Sequence, residues 1–190
     1  MASDYGSAGQ ASMSDRMMRA ARLDPQVYEE VEHDLTATSQ ALTVVVIVAV
    51  AGGIGHALGQ ILSGHPGAAV GGFIGGILTA ILGWLIWSWL AYFIGTKLFG
   101  GVATYGELLR TVGFAQSPGV LNILSFIPLL GGLVAFLVGI WILITVIVAM
   151  RQALDFDTGK AILTAIVGFF VYLILAVILV TPFAALFGGR

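Results

Sequence analysis

The sequence predicts an all-α membrane protein, a polytopic transmembrane helix bundle of five spans preceded by a short amphipathic helix. Of the 190 residues, 58% are hydrophobic and only 9% are charged, whereas about a quarter of the residues in a soluble domain carry charge. The apolar residues fall into five long stretches separated by short polar connections. Because so few charges cannot cover a water-facing surface, the composition indicates an integral membrane protein.

The composition also excludes several partners and chemistries. The formal net charge of −2 is too small to indicate a nucleic-acid partner. The chain contains no cysteine, which excludes disulfides, thiolate metal ligands and a cysteine nucleophile. We predict no cofactor and no metal site. The expected partners are the lipid bilayer and either other membrane proteins or further copies of the chain.

The amino-terminal part is predicted in two pieces. Residues 1–12 are small and polar and lack the basic start and apolar core of a signal peptide, so we predict a disordered tail. Residues 13–40 are predicted as a cytoplasmic amphipathic helical segment. Ser14 or Asp15 is predicted to cap a first short helix, and a second begins at Asp24 with the proline that follows it. This segment lies either on the membrane surface or, more simply, on the folded bundle.

Residues 41–190 are predicted as a five-span membrane domain, since a helix needs about 20 apolar residues to cross the hydrocarbon core. The third span contains Pro118 and Asn122, so we predict a kinked helix or, alternatively, a re-entrant segment. Asp157 or Thr158 is expected to cap the last helix. The predicted spans are residues 41–62, 68–98, 112–130, 132–150 and 161–186.

The placement of charge favours five spans over four. With a cytoplasmic amino terminus, five spans put every lysine and arginine except Arg190 on the cytoplasmic side. Four spans would move Arg151 and Lys160 outside, against the bias that keeps basic loops in the cytoplasm. We therefore predict that the amino terminus is cytoplasmic and that the carboxyl terminus is outside.

Glycines recur at four-residue spacing on both sides of the first predicted turn. This spacing puts small residues on one helix face and lets another backbone approach closely. We predict that the first two spans pack on each other through these faces. The alternative is that part of the face binds another copy or another membrane protein. The glycines are Gly55, Gly59, Gly67, Gly71, Gly72, Gly75 and Gly76.

His56 lies within the first predicted span, one turn before Gln60. An ionisable group inside a membrane segment is a functional hypothesis by default, and a lone imidazole could ligate a haem or pigment or relay a proton. The simpler interpretation is a neutral histidine hydrogen-bonded to a neighbouring helix. The alternative function is therefore a small transporter or a pigment- or cofactor-binding protein that uses His56, Gln60 and Asn122.

No arrangement of residues predicts catalysis, and we expect that the chain is not an enzyme. It has no Ser/His/Asp set and no paired carboxylates within the spans, and its glycine runs do not follow strands as a nucleotide-binding loop would. Glu107 and Arg110 are three residues apart and are predicted to pair with each other near the interface. Asp155 and Asp157 form an acidic loop without other metal ligands.

A polar stretch follows the second span and leads into the third. It reads Thr104-Tyr-Gly-Glu-Leu-Leu-Arg-Thr-Val-Gly-Phe-Ala-Gln-Ser-Pro118, and the last span begins with Gly-Lys160-Ala-Ile-Leu. This pattern resembles the Yip-domain family of five-span membrane proteins, and the likeness covers roughly Arg22 to the carboxyl end. Four residues form what we term the family-like block: Glu107, Arg110, Gly113 and Pro118.

The resemblance implies a non-enzymatic protein that organises or shapes membrane, or that serves as an accessory or assembly subunit of a membrane complex. Eukaryotic members act in vesicle traffic and carry a long cytosolic amino-terminal region with a Tyr-Gly-Pro-containing motif. Both features are missing here, so the chain resembles the bacterial branch, located in the plasma membrane, for which a Rab-type GTPase partner is not expected. The family supplies no agreed catalytic residues.

Overall fold

A computed structural model describes residues 11–187, and of residues 67–71, 176 and 178–187 it describes only the helical backbone. The described chain is all-α and contains no strand, which confirms the predicted class. Nearly all of the predicted tail, residues 1–12, lies outside the described residues. The helices are α1 (Met13–Ala21), α2 (Pro25–His33), α3 (Ala37–Leu62), α4 (Gly67–Leu98), α5 (Tyr105–Ala115), a 3₁₀ helix (Ser117–Phe126), α6 (Gly131–Ala153) and α7 (Thr158–Phe187).

Helices α1 and α2 form the N-terminal hairpin, residues 13–33. Ser12 caps α1, because its hydroxyl accepts the backbone N–H of Asp15 at 3.2 Å. The prediction of Ser14 or Asp15 as this cap is wrong, since both already lie in the first helical turn while Ser12 keeps the extended backbone that a cap requires. Asp24 caps α2 as predicted, with a proline at the first helical position.

The N-terminal hairpin packs on the bundle. Val27, Tyr28 and Val31 are fully buried, and α2 lies against α5 and α6. Tyr28 also donates its hydroxyl to the carbonyl of Ala20 at 3.2 Å, which joins the two helices of the hairpin. Burying an apolar side chain of this size contributes about 1.5–3 kcal/mol. Of the two predicted positions for this segment, on the membrane surface or on the folded bundle, the structure shows the second.

Four helices, α3, α4, α6 and α7, are long and apolar enough to cross a membrane. They correspond to the predicted first, second, fourth and fifth spans, with bounds that differ by a few residues. At most 28% of the most apolar window of each helix is buried, so most of these side chains can face lipid. Asp157 accepts the N–H of Lys160 at 3.0 Å and is thus the cap of α7, one of the two that were predicted.

The predicted third span, residues 112–130, is not a continuous helix. In its place α5 and the 3₁₀ helix form a broken segment, residues 105–126. The break falls just before Pro118, which has no N–H to donate and disfavours the α-helical backbone in the residue before it. Five continuous spans are therefore not confirmed.

The broken segment runs beside α3 from one end of the bundle to the other. Its contacts follow α3 in order along the chain. They pair Gly113 with Ala41, Gly119 with Val48, Asn122 with Gly52, and Phe126 with Gly59. Between the first and the last of these contacts, α3 rises about 27 Å at about 1.5 Å per residue. This length is close to the hydrocarbon thickness of a bilayer, about 30 Å.

The connections gather at the two ends of the bundle. At the hairpin end, the loops that precede α5 and α7 meet where the N–H of Val102 donates to the carbonyl of Leu154 at 3.2 Å. There Gln152, near the end of α6, donates to the Glu29 carboxylate at 2.7 Å. At the far end, the loops that follow α3 and the 3₁₀ helix come together, because Ser63 and Leu129 line one cavity. The tight turn after α3 depends on Gly64, whose φ of +81° is one that glycine adopts without strain.

Candidate functional site

The predicted pair of Glu107 with Arg110 does not form. Glu107 instead accepts the backbone N–H of Thr104 at 2.8 Å, while the Thr104 hydroxyl accepts the N–H of Glu107 at 3.3 Å. This reciprocal arrangement is a capping box at the start of α5. A Thr-x-x-Glu spacing before an apolar run is the sequence pattern that predicts a capping box. The prediction for Glu107 followed instead the rule that opposite charges three residues apart pair on a helix, and it was wrong.

Arg110 reaches in another direction, to the end of α2. The residue is only 4% exposed. Its Nε donates to the carbonyl of Val31 at 2.9 Å, and its Nη2 donates to the carbonyl of Glu32. The last carbonyls of a helix have no partner within that helix. One guanidinium therefore closes the end of α2 and joins the N-terminal hairpin to α5.

Gly113 and Pro118 of the family-like block determine the path of the broken segment. A Cβ at Gly113 would lie 2.7 Å from the Cβ of Ala41, so glycine is what allows α5 to approach α3 this closely. Pro118 is buried near the start of the 3₁₀ helix. Every residue of the family-like block thus holds one element of the fold in place against another or sets where it begins.

An ion-pair network that sequence analysis missed joins the two helices of the N-terminal hairpin. The Arg16 side chain is 3% exposed and lies 2.9 Å from the carboxylates of both Glu30 and Asp34. Arg19 lies 2.8 Å from Asp24 and from Glu30, and its guanidinium lowers the pKa of Asp24. Arginines three residues apart in α1, followed by the acidic residues of α2, are the signal that could have predicted it.

A second group of carboxylates at the hairpin end has no such partner. We term this group the acidic seam: Glu29, Glu32, Glu107 and Asp155. Burial first, and then the negative charge of the other three, raises the pKa of Glu32 to about 7. No lysine or arginine in the described part of the chain forms an ion pair with any of the four. These acids come from α2, α5 and the loop before α7, so their spacing in the sequence does not predict that they lie together.

His56 lies at the far end, in the wall of a cavity of about 660 Å³. The residue is exposed, and its Nε2 lies 3.3 Å from the side-chain nitrogen of Gln60. Its hydrogen-bond partner thus belongs to its own helix and not to a neighbouring one. The residues that line the cavity include Ser63 and Ser125 but no second histidine, cysteine or carboxylate. A metal or haem would therefore find a single protein ligand among them.

Asn122 does not share this cavity with His56 and Gln60. Its side chain lies instead toward Gly52 of α3, where a Cβ would be 3.7 Å from the Cβ of Asn122. The predicted polar lining of three residues is therefore reduced to two. The break in the third segment turns Asn122 toward α3, which periodicity along a straight helix could not indicate.

The glycines of α3 face a different partner from the one predicted. Gly55 lies against the 3₁₀ helix, where a Cβ would be 2.9 Å from the carbonyl oxygen of Ile123, and Gly59 faces Phe126. Helices α3 and α4 do pack on each other as predicted, but the prediction that these two glycines make the contact is wrong. Gly53 makes that approach instead, since a Cβ there would lie 2.7 Å from the ring of Phe73. Helix α3 thus has small residues on two faces, one for each neighbour.

The glycines of α4 are largely open. A Cβ at Gly72 would lie 3.6 Å from the His56 ring, while a Cβ at Gly75 or Gly76 would meet nothing from another element of the described chain within 4 Å. We term Gly72, Gly75 and Gly76 the α4 glycine face. Two of the predicted glycines belong to the stretch of which only the backbone is described, namely Gly67 and Gly71.

The amino-acid sequence was compared with models of known protein families. Residues 23–180 match the model of the Yip1 domain. The chain belongs to the Yip1 domain family. The match begins before α2 and includes the broken segment and the whole family-like block, so it confirms the resemblance found in the sequence. Together with four membrane-length helices, it makes this Yip1-domain chain an integral membrane protein. No curated protein and no solved structure matches the chain.

Proposed function

We propose that this Yip1-domain chain is a non-enzymatic membrane protein that organises or shapes the bilayer, or serves as an accessory or assembly subunit of a membrane complex. The observation that supports this is the use of the family-like block. Glu107 closes the start of α5, Arg110 closes the end of α2, and Gly113 seats α5 on α3. These residues stabilise the fold and are not arranged as a catalytic site. We therefore expect the chain to act through its surfaces, by binding lipid or other proteins.

The α4 glycine face is one such surface. It lies on a helix of membrane-spanning length, and its exposed backbone would let another helix approach closely. Lipid provides no hydrophobic drive for helix association, so close packing of small residues supplies much of the attraction. A neighbouring membrane protein, or a second copy of the chain, is the partner that this surface fits.

Replacing Gly75 and Gly76 by leucine is expected to remove the partner while leaving the chain inserted, because the new side chains would keep another backbone away. The measurement is gentle detergent extraction at native expression, followed by sizing and mass spectrometry of the proteins that co-migrate. The matched control replaces two exposed leucines of the same helix, Leu78→Ile and Leu82→Ile. A partner set identical in all three proteins would contradict assembly through the α4 glycine face.

His56→Leu, purified in parallel, tests the alternative of a small transporter or a pigment- or cofactor-binding protein. The far-end cavity is the observation that favours this alternative. Our proposal expects the His56→Leu protein to keep its co-migrating proteins, its absorption spectrum and its behaviour in liposomes. Loss of a bound chromophore or of solute flux, with assembly intact, would favour the alternative instead.

We also propose that the broken segment crosses the bilayer as a fifth span. Its contacts along about 27 Å of α3, at about 1.5 Å per residue, support this, as does the position of its two ends at opposite ends of the bundle. The amino terminus would then be cytoplasmic and the carboxyl terminus outside. All lysines and arginines except Arg190 would lie on the cytoplasmic side, as expected for a bacterial plasma membrane.

Single cysteines test this topology cleanly because the chain has none of its own. Ser63→Cys and Leu129→Cys are expected to react with a membrane-impermeant maleimide outside intact cells. Val102→Cys should react only after permeabilisation. All three positions are exposed. Leu129 decides the question, since a cysteine there that is protected in intact cells, beside a reactive one at Ser63, would show that the broken segment does not cross.

A further inference from the structure

The acidic side chains from Glu30 to Asp34, at the end of α2, differ in whether a cation pairs with them. Glu30 and Asp34 are paired with an arginine at 2.9 Å. Glu32 is not, although its side chain is only 11% exposed and so about nine-tenths buried. Its Oε2 has no hydrogen-bond partner in the described chain. Its Oε1 lies 3.6 Å from Nδ1 of His33, beyond hydrogen-bonding distance.

A carboxylate buried in this way is unfavourable unless a positive charge or hydrogen-bond donors stabilise it. Arg110 does not supply that charge, because its Nε and Nη2 donate to the backbone carbonyls of Val31 and Glu32 and not to the carboxylate. The rest of the acidic seam adds further negative charge from α5 and from the loop before α7. The hairpin end therefore lacks a cation at this one place.

The side chains around Glu32 include further potential metal ligands. One ligand atom each from Glu29, Glu32 and His33 lies within 4.8 Å of the others. The backbone carbonyl of Glu29 can only accept, so Nδ1 of His33, at 2.9 Å from it, carries the proton. Nε2 is then left with a lone pair, the arrangement usual for metal-binding histidines. Gln152 donates to Glu29 at 2.7 Å and orients that carboxylate.

We propose that Glu29, Glu32 and His33 bind a divalent transition-metal ion, Mn²⁺ or Zn²⁺, at the hairpin end. Imidazole combined with carboxylates favours such ions over Ca²⁺ and Mg²⁺, which prefer oxygen ligands alone. The ion supplies the missing positive charge at Glu29 and Glu32, to which Glu107 and Asp155 add negative charge. It therefore reduces the repulsion of α2 from α5 and from the loop before α7, and it strengthens docking of the N-terminal hairpin.

The test uses the full chain in detergent, purified with an affinity tag that contains no histidine. Thermal unfolding is followed by the fluorescence of its 4 tryptophans, first in EDTA and then with Mn²⁺, Zn²⁺, Mg²⁺ or Ca²⁺. Saturating Mn²⁺ or Zn²⁺ is expected to raise Tm by about 5 °C or more, and Mg²⁺ or Ca²⁺ by less. Glu32→Gln and His33→Ala should each weaken Mn²⁺ binding at least about tenfold.

Two control variants leave the proposed ligands in place. Glu30→Gln removes an acid of the same helix and lowers Tm in EDTA, but it should keep the full rise with Mn²⁺. His65→Ala removes a histidine at the far end and should behave as the wild type does. Bound Mn²⁺ is also measured directly by electron paramagnetic resonance, so a Glu32→Gln protein of altered stability still gives a result.

Several outcomes would overturn the proposal. One is a wild-type protein that shows neither bound Mn²⁺ nor a rise in Tm with any of the four ions. Another is a Glu32→Gln protein that binds Mn²⁺ as tightly as the wild type. An equal rise with Mg²⁺ and Ca²⁺ that survives His33→Ala would show a general counter-ion effect and would refute the transition-metal site.

Discussion

Arg110→Met is expected to release the N-terminal hairpin from the bundle and to lower the free energy of unfolding by about 3–6 kcal/mol, since it removes two hydrogen bonds to a charged group, which contribute about 1.5–3 kcal/mol each. The guanidinium closes the end of α2, where the carbonyls of Val31 and Glu32 have no other donor from their own helix. At 4% exposure, water cannot readily replace it. Thermal unfolding in detergent measures the loss of stability.

A buried reporter measures the release itself. Val27 is a fully buried residue of α2 and belongs to the hydrophobic core that the hairpin shares with the bundle, so a single Val27→Cys should react with maleimide only when the hairpin detaches. Arg110→Lys keeps the positive charge but loses the planar guanidinium that donates to both carbonyls. The cysteine should then react with maleimide at a rate between those measured with Arg110 unchanged and with Arg110→Met. Arg22→Met, at an exposed position, should leave the cysteine protected. Protection that also persists in Arg110→Met would mean that the guanidinium does not hold the hairpin.

The features that sequence predicted correctly are those with local causes. An apolar stretch long enough to span a bilayer becomes a helix whatever surrounds it, because in lipid the backbone must satisfy its own hydrogen bonds. This accounts for the four long helices. Asp24 and Asp157 are recognisable as caps because the N–H groups that they accept lie two and three residues away. Pro118 marks the break in the third segment for an equally local reason.

The partners that sequence missed are distant in the chain. Arg110 lies 79 residues after the carbonyl of Val31 that it binds, and no spacing rule connects them. The rule for pairs three residues apart predicted Glu107 as its partner instead. The Thr-x-x-Glu pattern of a capping box was also present in the sequence, and in the structure the Glu107 carboxylate binds the backbone N–H of Thr104. The acidic seam has the same origin. Its members come from three separate elements, and only the docked hairpin brings their charges together.

The glycine pattern shows the same division. Four-residue spacing correctly indicates a helix face that another backbone approaches, because the mechanism of close packing is local to one helix. The spacing does not predict which helix packs against that face. In α3 the predicted face at Gly55 lies on the 3₁₀ helix, while Gly53, outside the predicted set, contacts α4. The choice of neighbour depends on where the broken segment turns, which is a property of the whole fold.

Gly55→Ala is expected to lower the free energy of unfolding by about 1–3 kcal/mol, the usual effect of overpacking. The new Cβ would lie 2.6 Å from Oγ of Ser125 and 2.9 Å from the carbonyl oxygen of Ile123, and it would also contact the carbonyl of Asn122. Two of these three atoms belong to the backbone of the 3₁₀ helix and cannot rotate away. The broken segment must therefore move off α3, and Tm should fall by several degrees, at about 2–4 °C per kcal/mol.

Gly76→Ala is the matched control, and its effect should have the opposite sign. A Cβ there meets nothing from another element of the described chain within 4 Å, and alanine in a helix is about 0.5–1 kcal/mol more favourable than glycine. In detergent its Tm should thus be unchanged or slightly higher. Equal shifts in the two variants would show that the 3₁₀ helix is not seated on α3. The proposed fifth crossing would then lose the contacts that support it, and a cysteine at Leu129 would have to decide the topology alone.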